Sequence, residues 1–117
     1  MSLEYEATRA VRYQHPLTCV VVRVTNFDEV IGASEETAAG LLLQLANGAH
    51  HAVRSTDPFF RSDRDELTLL LPETNLESAS VVVGRLRSAA RDAKNAVEPR
   101  PRIELGCASI EVGGSIT

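Results

Sequence analysis

Asp63, Arg64, Asp65 and Glu66 follow one another directly, placing three carboxylates and a guanidinium in four consecutive residues. Carboxylates this close repel each other, so a chain keeps them together for solubility, for a cation, or as the remnant of a cation site. Mg²⁺ would take one or two such groups together with substrate phosphates. Nearby, Arg54 and Asp57 stand three residues apart, with five residues between Asp57 and the acidic run. At that spacing an arginine and an aspartate commonly make a local ion pair worth only tenths of a kcal/mol, about 0.2–0.5. The other residues with ligand chemistry converge poorly. His50 and His51 are neighbours on an expected helix and point in different directions, and His15 precedes a proline, so no structural metal is expected.

The elements that must position these groups follow from hydrophobic period. Phe59 and Phe60 precede the acidic run, and Leu67, Leu69 and Leu71 alternate after it with Thr68 between, which predicts two strands meeting at a charged turn with one face buried. Pro16 opens an earlier strand in which Leu17, Cys19 and Val21 face one way and Val20, Val22 and Val24 the other, so both faces are expected to be covered. Ser34 is placed to cap a helix that starts with Glu35 and Glu36 and buries Ala38, Leu41, Leu42, Leu45, Ala46, Ala49 and Val53. Thr74 and Glu77 read as a capping box opening a second helix, with Leu76, Ala79, Val82, Val83, Leu86 and Ala90 inward. Glu98 to Pro101 form a stiff connector into a last strand, Ile103 to Glu111. The predicted architecture is α+β and ferredoxin-like: a leading helix, then β-α-β-β-α-β, with a mainly antiparallel sheet and helices packed on it.

At 117 residues and 44% hydrophobic content the chain can bury one core, and residues 1–117 are read as a single domain in which Met1, Ser2 and Leu3 are a vector remnant. A net charge of −4 argues against a general nucleic-acid or anionic-membrane surface. No apolar run is long enough for a membrane span and no signal pattern opens the chain, so a cytoplasmic location is expected, with a membrane-anchored parent as the exception. Cys19 and Cys107 fall on strands expected to be neighbours; a bridge is geometrically allowed, and reduced thiols are the expectation.

The order Arg-x-x-Asp, five residues, acidic turn, apolar strand and Pro-x-Thr resembles the GGDEF domain of diguanylate cyclases, which condense two GTP molecules into cyclic di-GMP. The resemblance extends to Arg9–Val22, similar to the family's helix and first strand, and to Arg102–Ala108, similar to its late strand. It also implies what has changed. The family's two turn glycines correspond to Asp63 and Arg64, whose side chains hinder the close approach of a triphosphate to backbone amides. The metal-holding aspartate of the family's first strand corresponds to Arg23. Arginine cannot ligate a cation. It is expected to pair with Asp65, with an attraction of about 4 kcal/mol before desolvation if the two meet at 4 Å in a medium of effective dielectric near 20. The base-reading motif falls on Phe27 to Gly32 and puts Ile31 where the family has asparagine, and the later aspartate falls at Ala39 or Gly40. Each missing hydrogen bond to a buried base edge costs about 1–3 kcal/mol.

By the same resemblance, Arg54 and Asp57 match the family's inhibitory site for cyclic di-GMP, and Arg85 falls where another arginine often joins it. Arginine can grip guanine O6 and N7 or a phosphate and stack on the base, while aspartate accepts from guanine N–H groups. The implied function is a catalytically inactive signalling domain that binds cyclic di-GMP through Arg54, Asp57 and Arg85, without a metal or other cofactor. Two alternatives stay open. One is a protein-interaction or dimerisation scaffold serving a homodimer or other signalling domains. The other is a truncated active cyclase in which Asp65 and Glu66 act with Mg²⁺. The family's opening Asp-x-Leu-Thr-Gly-Leu segment and its final helix have no counterpart in the sequence, which is the reason for expecting truncation at both ends.

Overall fold

The computed structural model describes residues 16–110. β1 (Leu17–Val24) leads into two helices, α1 (Phe27–Ala33) and α2 (Glu35–Ala52), then the hairpin of β2 (Phe59–Asp63) and β3 (Glu66–Pro72), then α3 (Leu76–Ala96) and β4 (Ile103–Ile110). The four strands lie in the order β2-β3-β1-β4, and every neighbouring pair is antiparallel. This is the ferredoxin-like β-α-β-β-α-β arrangement, with the first crossover broken into two helices. The expected leading helix and the Glu111 end of the last strand lie outside the described residues.

Alternation decides which face of the sheet meets the helices. Val20, Val22 and Val24 stand opposite Leu69, Leu67 and, on the other side, Cys107, Leu105 and Ile103. The valines join Leu67, Leu69 and Leu71 in one cluster with Val30, Ala38, Leu41, Leu45, Ala49, Ala79, Leu86, Ala90 and Ala93 from the helices. The opposite sheet face is less uniform: Leu17 and Leu70 are buried, whereas Cys19 and Val21 are only half-buried.

Several local expectations change in the folded chain. α1 was not anticipated, because its apolar signal is short: Phe27 and Val30 bury, and the following Ser34 ends one helix while its side chain accepts from Thr37 N at 3.1 Å to cap the next. At α3 the cap is Asn75, whose Oδ1 accepts from Ser78 N at 2.8 Å, and not Thr74. The shift by one residue turns Leu76 outward, where it is 51% exposed, and frees Thr74 for the corner described below.

α2 and α3 come close together at Gly48. A Cβ built there would lie 2.5 Å from the Cβ of Ala89, closer than two methyl groups can stand. Gly48→Val is therefore expected to cost about 2–3 kcal/mol through forced separation of the helices, read as a fall in the urea midpoint with an unchanged slope. A midpoint equal to that of the parent chain would show that the helices are free to move apart.

Candidate functional site

Two places collect chemistry-bearing side chains. The first is the β2–β3 hairpin tip. Ser62 is squeezed out of register between the Arg61–Leu67 and Asp63–Glu66 pairs, a bulge that re-aims the tip. Its hydroxyl donates to Glu66 Oε2 at 2.7 Å and accepts from Thr68 Oγ1 at 2.6 Å, and Asp63 Oδ1 accepts from Arg64 N at 2.7 Å. The tip is tied to its surroundings by cations. Arg61 Nη2 donates to the carbonyl of Arg64, Arg64 Nη2 pairs with Asp28 Oδ1 at the start of α1, and the Arg64 guanidinium lies 5.7 Å from the centre of the Phe27 ring. On β1, opposite Glu66 in register, Arg23 places Nε 3.4 Å from Asp65 Oδ2.

The Arg23–Asp65 contact is looser than the sequence suggested. The Arg23 side chain is 58% exposed and makes one long bond to Asp65, so solvent screening limits the pair to less than about 1 kcal/mol, not about 4. Among the described residues no group of three or more His, Cys, Asp or Glu side chains is close enough together to hold a metal ion.

The second place is the corner where α2 ends and β3 turns into α3. Asp57 is buried and its carboxylate accepts from the Arg54 backbone N–H at 3.0 Å, from Nε at 3.1 and 3.2 Å and from Nη2 at 2.8 Å. Nη2 also donates to the carbonyl of Pro72 at 2.8 Å and to Thr74 Oγ1 at 3.1 Å, so one guanidinium links the end of α2 to the end of β3. The corner itself is pinned from the sheet, because Thr18 Oγ1 donates to the carbonyl of Thr74 at 2.7 Å. Glu73, between Pro72 and Thr74, adopts a left-handed φ of 55°, which makes the sharp exit from β3. Hydrogen bonding to Asp57 raises the Arg54 pKa above its ordinary value; burial opposes this, and the charges of Asp57 and Glu73 add to it.

This corner opens on a cavity of about 250 Å³ whose lining includes Arg54, Asp57, Thr74, Ser78, Val82 and Arg85. Arg85 reaches it from the third turn of α3, with Nη1 3.4 Å from the carbonyl of Ala52. A neighbouring hollow of about 420 Å³ shares Val53, Arg54 and Asp57 and is completed by His50, Ser55 and Phe59. Arg54, Asp57 and Arg85, singled out by the resemblance, thus come together at one surface. Thr74, Ser78 and Val82 were missed as lining residues. The signal for Thr74 was its place in Pro-x-Thr, while Ser78 and Val82 declare themselves only once Asn75 is known to set the helix phase.

The profile of the family described as diguanylate cyclase, GGDEF domain, matches residues 1–116. The chain belongs to the GGDEF family.

No curated protein matches the chain. Solved structures do. The diguanylate cyclase SiaD of Pseudomonas aeruginosa, solved with its activator SiaC, superposes with a TM-score of 0.79 at 23% identity over 95% of this chain and 44% of that one. The GGDEF domain of DgcB from Caulobacter crescentus, solved with c-di-GMP, gives 0.80 at 12% identity over 95% of this chain and 69% of that one. An active GGEEF domain from Vibrio cholerae gives 0.66 at 20% identity over 93% and 71%. This GGDEF domain therefore spans less than half the length of the Pseudomonas chain. At these identities the likeness establishes the fold.

Ile31, Ala39 and Gly40 are the positions that the resemblance assigns to base reading. Ile31 is half-buried and packs against the hydrophobic cluster, while Ala39 and Gly40 lie on the exposed side of α2. The two cysteines are free. Cys19 pairs in register with Ala108, and Cys107 with Val20, so the thiols stand on opposite sheet faces and are not placed for a bridge. Burial, with smaller contributions from Cys107 and Glu66, pushes the Cys19 thiol above its ordinary pKa. No helix among the described residues is long and apolar enough to cross a membrane.

Proposed function

We propose that this GGDEF domain binds cyclic di-GMP at Arg54, Asp57 and Arg85 and does not synthesise it. The observation that carries the reading is the convergence of these three side chains on one cavity, with Arg54 already oriented by Asp57, Pro72 and Thr74. A guanidinium held in place loses little freedom when a ligand arrives, and Nη1 takes no part in the bonds that hold it. Its planar face and remaining donors suit guanine or phosphate, and the Asp57 carboxylate suits guanine N–H groups. The Caulobacter relative, solved with c-di-GMP, makes this ligand class reasonable for the fold.

The hairpin tip supports the second half of the proposal. Mg²⁺ needs hard oxygen donors, and the donor set does not fit it: a guanidinium stands beside Asp65 where a second carboxylate would be required. Arg64 fills the space between the tip and α1, pairing with Asp28 and covering Phe27, where a flexible glycine would leave room for phosphate. Ile31 offers no hydrogen bond to a base.

Incubation of the purified domain with Mg²⁺ and GTP is expected to give no cyclic di-GMP above the protein-free control, as read by chromatography. Product formation would restore the reading as a working cyclase and overturn the silenced one. Calorimetric titration with cyclic di-GMP tests the receptor half. Absence of heat would leave the scaffold reading, which the solved pairing of the Pseudomonas relative with an activator protein favours.

A further inference from the structure

Two hollows meet at the Arg54 corner, and they differ in how they can read a base. Arg85 lines only the smaller, while His50, Ser55 and Phe59 line only the larger. Local folding brings the larger one together. His50 lies in the last turn of α2, and the Asp57 N–H donates to the Arg54 carbonyl at 3.0 Å, which turns the connection back toward the sheet. Phe59 then opens β2, pairs in register with the buried Leu69 and packs against the core. The rings of His50 and Phe59 therefore stand 6.4 Å apart with their planes inclined by 56°. Among the described residues neither the His50 ring nor the Ser55 hydroxyl has a hydrogen-bond partner. The smaller hollow, about 250 Å³, is below the roughly 300–1,000 Å³ of sites that enclose a drug-sized molecule, and the larger, about 420 Å³, is within that range. A ligand of two nucleotides needs both.

In the smaller hollow two guanidiniums and the Asp57 carboxylate bring donors and an acceptor together, as a guanine edge requires. Asp57 is the only acidic residue among the described residues lining either hollow, so it cannot serve two guanines at once. The larger hollow offers the faces of two rings instead, and stacking accepts every base because every base has a π-face. Its polar groups do not choose either: a hydroxyl and a neutral imidazole each both donate and accept. We propose, on the basis of the binding reading above, that the two hollows form one bipartite site for a cyclic dinucleotide, in which one guanine is read at Arg54, Asp57 and Arg85 and the second base stacks on His50 and Phe59 without being identified. The ligand class is thereby widened to cyclic dinucleotides with one guanine and a second purine of either kind.

Isothermal titration of the whole 117-residue protein with cyclic di-GMP, mixed cyclic GMP–AMP and cyclic di-AMP provides the test. The mixed ligand is expected to bind within about threefold of cyclic di-GMP, because stacking tolerates the exchanged base. Cyclic di-AMP is expected to bind at least about tenfold more weakly, because neither of its bases presents the edge that Asp57 and Arg85 read. His50→Ala combined with Phe59→Leu is expected to weaken both guanine-containing ligands about tenfold and to leave their ratio unchanged. Leucine keeps an apolar side chain against the core, and His50→Ala alone, at an exposed position, carries the same test should the double variant fail to fold. If none of the three ligands binds, the underlying reading falls and the bipartite site with it. If cyclic di-GMP binds, three results leave that reading standing and overturn the bipartite site: a mixed ligand as weak as cyclic di-AMP, a cyclic di-AMP as tight as cyclic di-GMP, or affinities that the His50 and Phe59 substitutions do not change.

Discussion

Arg54→Ala is expected to weaken cyclic di-GMP binding at least about a hundredfold, close to 2.8 kcal/mol. The size follows from the kind of contact. Hydrogen bonds to charged groups contribute about 1.5–3 kcal/mol each, and a planar guanidinium can make two to one guanine or phosphate. The wild-type side chain is already fixed by Asp57, the Pro72 carbonyl and Thr74, so the parent domain loses little entropy on binding. Arg85 has only one long bond, to the Ala52 carbonyl, and starts freer, so Arg85→Ala is expected to cost less, about tenfold. Isothermal titration of the three proteins provides the check. A binding heat unchanged in Arg54→Ala would place the ligand elsewhere and refute the site, and weakening by Arg85→Ala alone would move it up α3.

Asp57→Ala is expected to destabilise the fold by about 2–3 kcal/mol even without ligand. The carboxylate is buried and holds the Arg54 backbone N–H as well as its guanidinium. Its removal leaves that amide and the Arg54–Pro72–Thr74 link unsupported at the corner between α2, β3 and α3. The cost stays below the roughly 3–5 kcal/mol of a fully buried pair, because the Arg54 side chain is 57% exposed and water can take over part of its solvation. Arg23→Ala supplies the contrast. Its one long bond to Asp65 at an exposed position predicts a loss under about 0.5 kcal/mol. Urea unfolding distinguishes the two, and a loss below about 1 kcal/mol in Asp57→Ala would show that the corner is held by other groups.

In the proposed reading, one GGDEF domain combines a degenerate hairpin with an intact corner. The tip would need a metal and a triphosphate to be a catalyst; instead its Arg64 pairs with Asp28 of α1 and its Asp65 with Arg23 of β1. The corner needs only a fixed guanidinium, a buried carboxylate and an opening, all of which also serve the fold. The Arg54–Asp57 pair thus has a structural role whether or not a ligand binds. For that reason the binding and stability measurements must be made on the same variants.

The sequence by itself determined the order of the strands and of the two long helices, and the alternation within the strands, because these rest on local rules. Alternation in Val20–Val24 and Leu67–Leu71 survives any plausible arrangement of the helices, and Ser34 caps its helix through a bond three residues away. Spacing also sufficed to pick out Arg54 with Asp57, since they meet within one turn of chain. Contacts between distant segments were not legible. The pairing of Arg64 with Asp28 joins the hairpin to α1, the meeting of Gly48 with Ala89 joins two helices, and the opposite facing of Cys19 and Cys107 depends on a register offset of one residue. Even the cap at Asn75 depended on its surroundings, because Thr74 is held by Thr18 and Arg54 from elsewhere in the fold. Local propensity acts over a few residues. A side chain that must choose between two competent partners is decided by which of them the packed sheet and helices bring within reach.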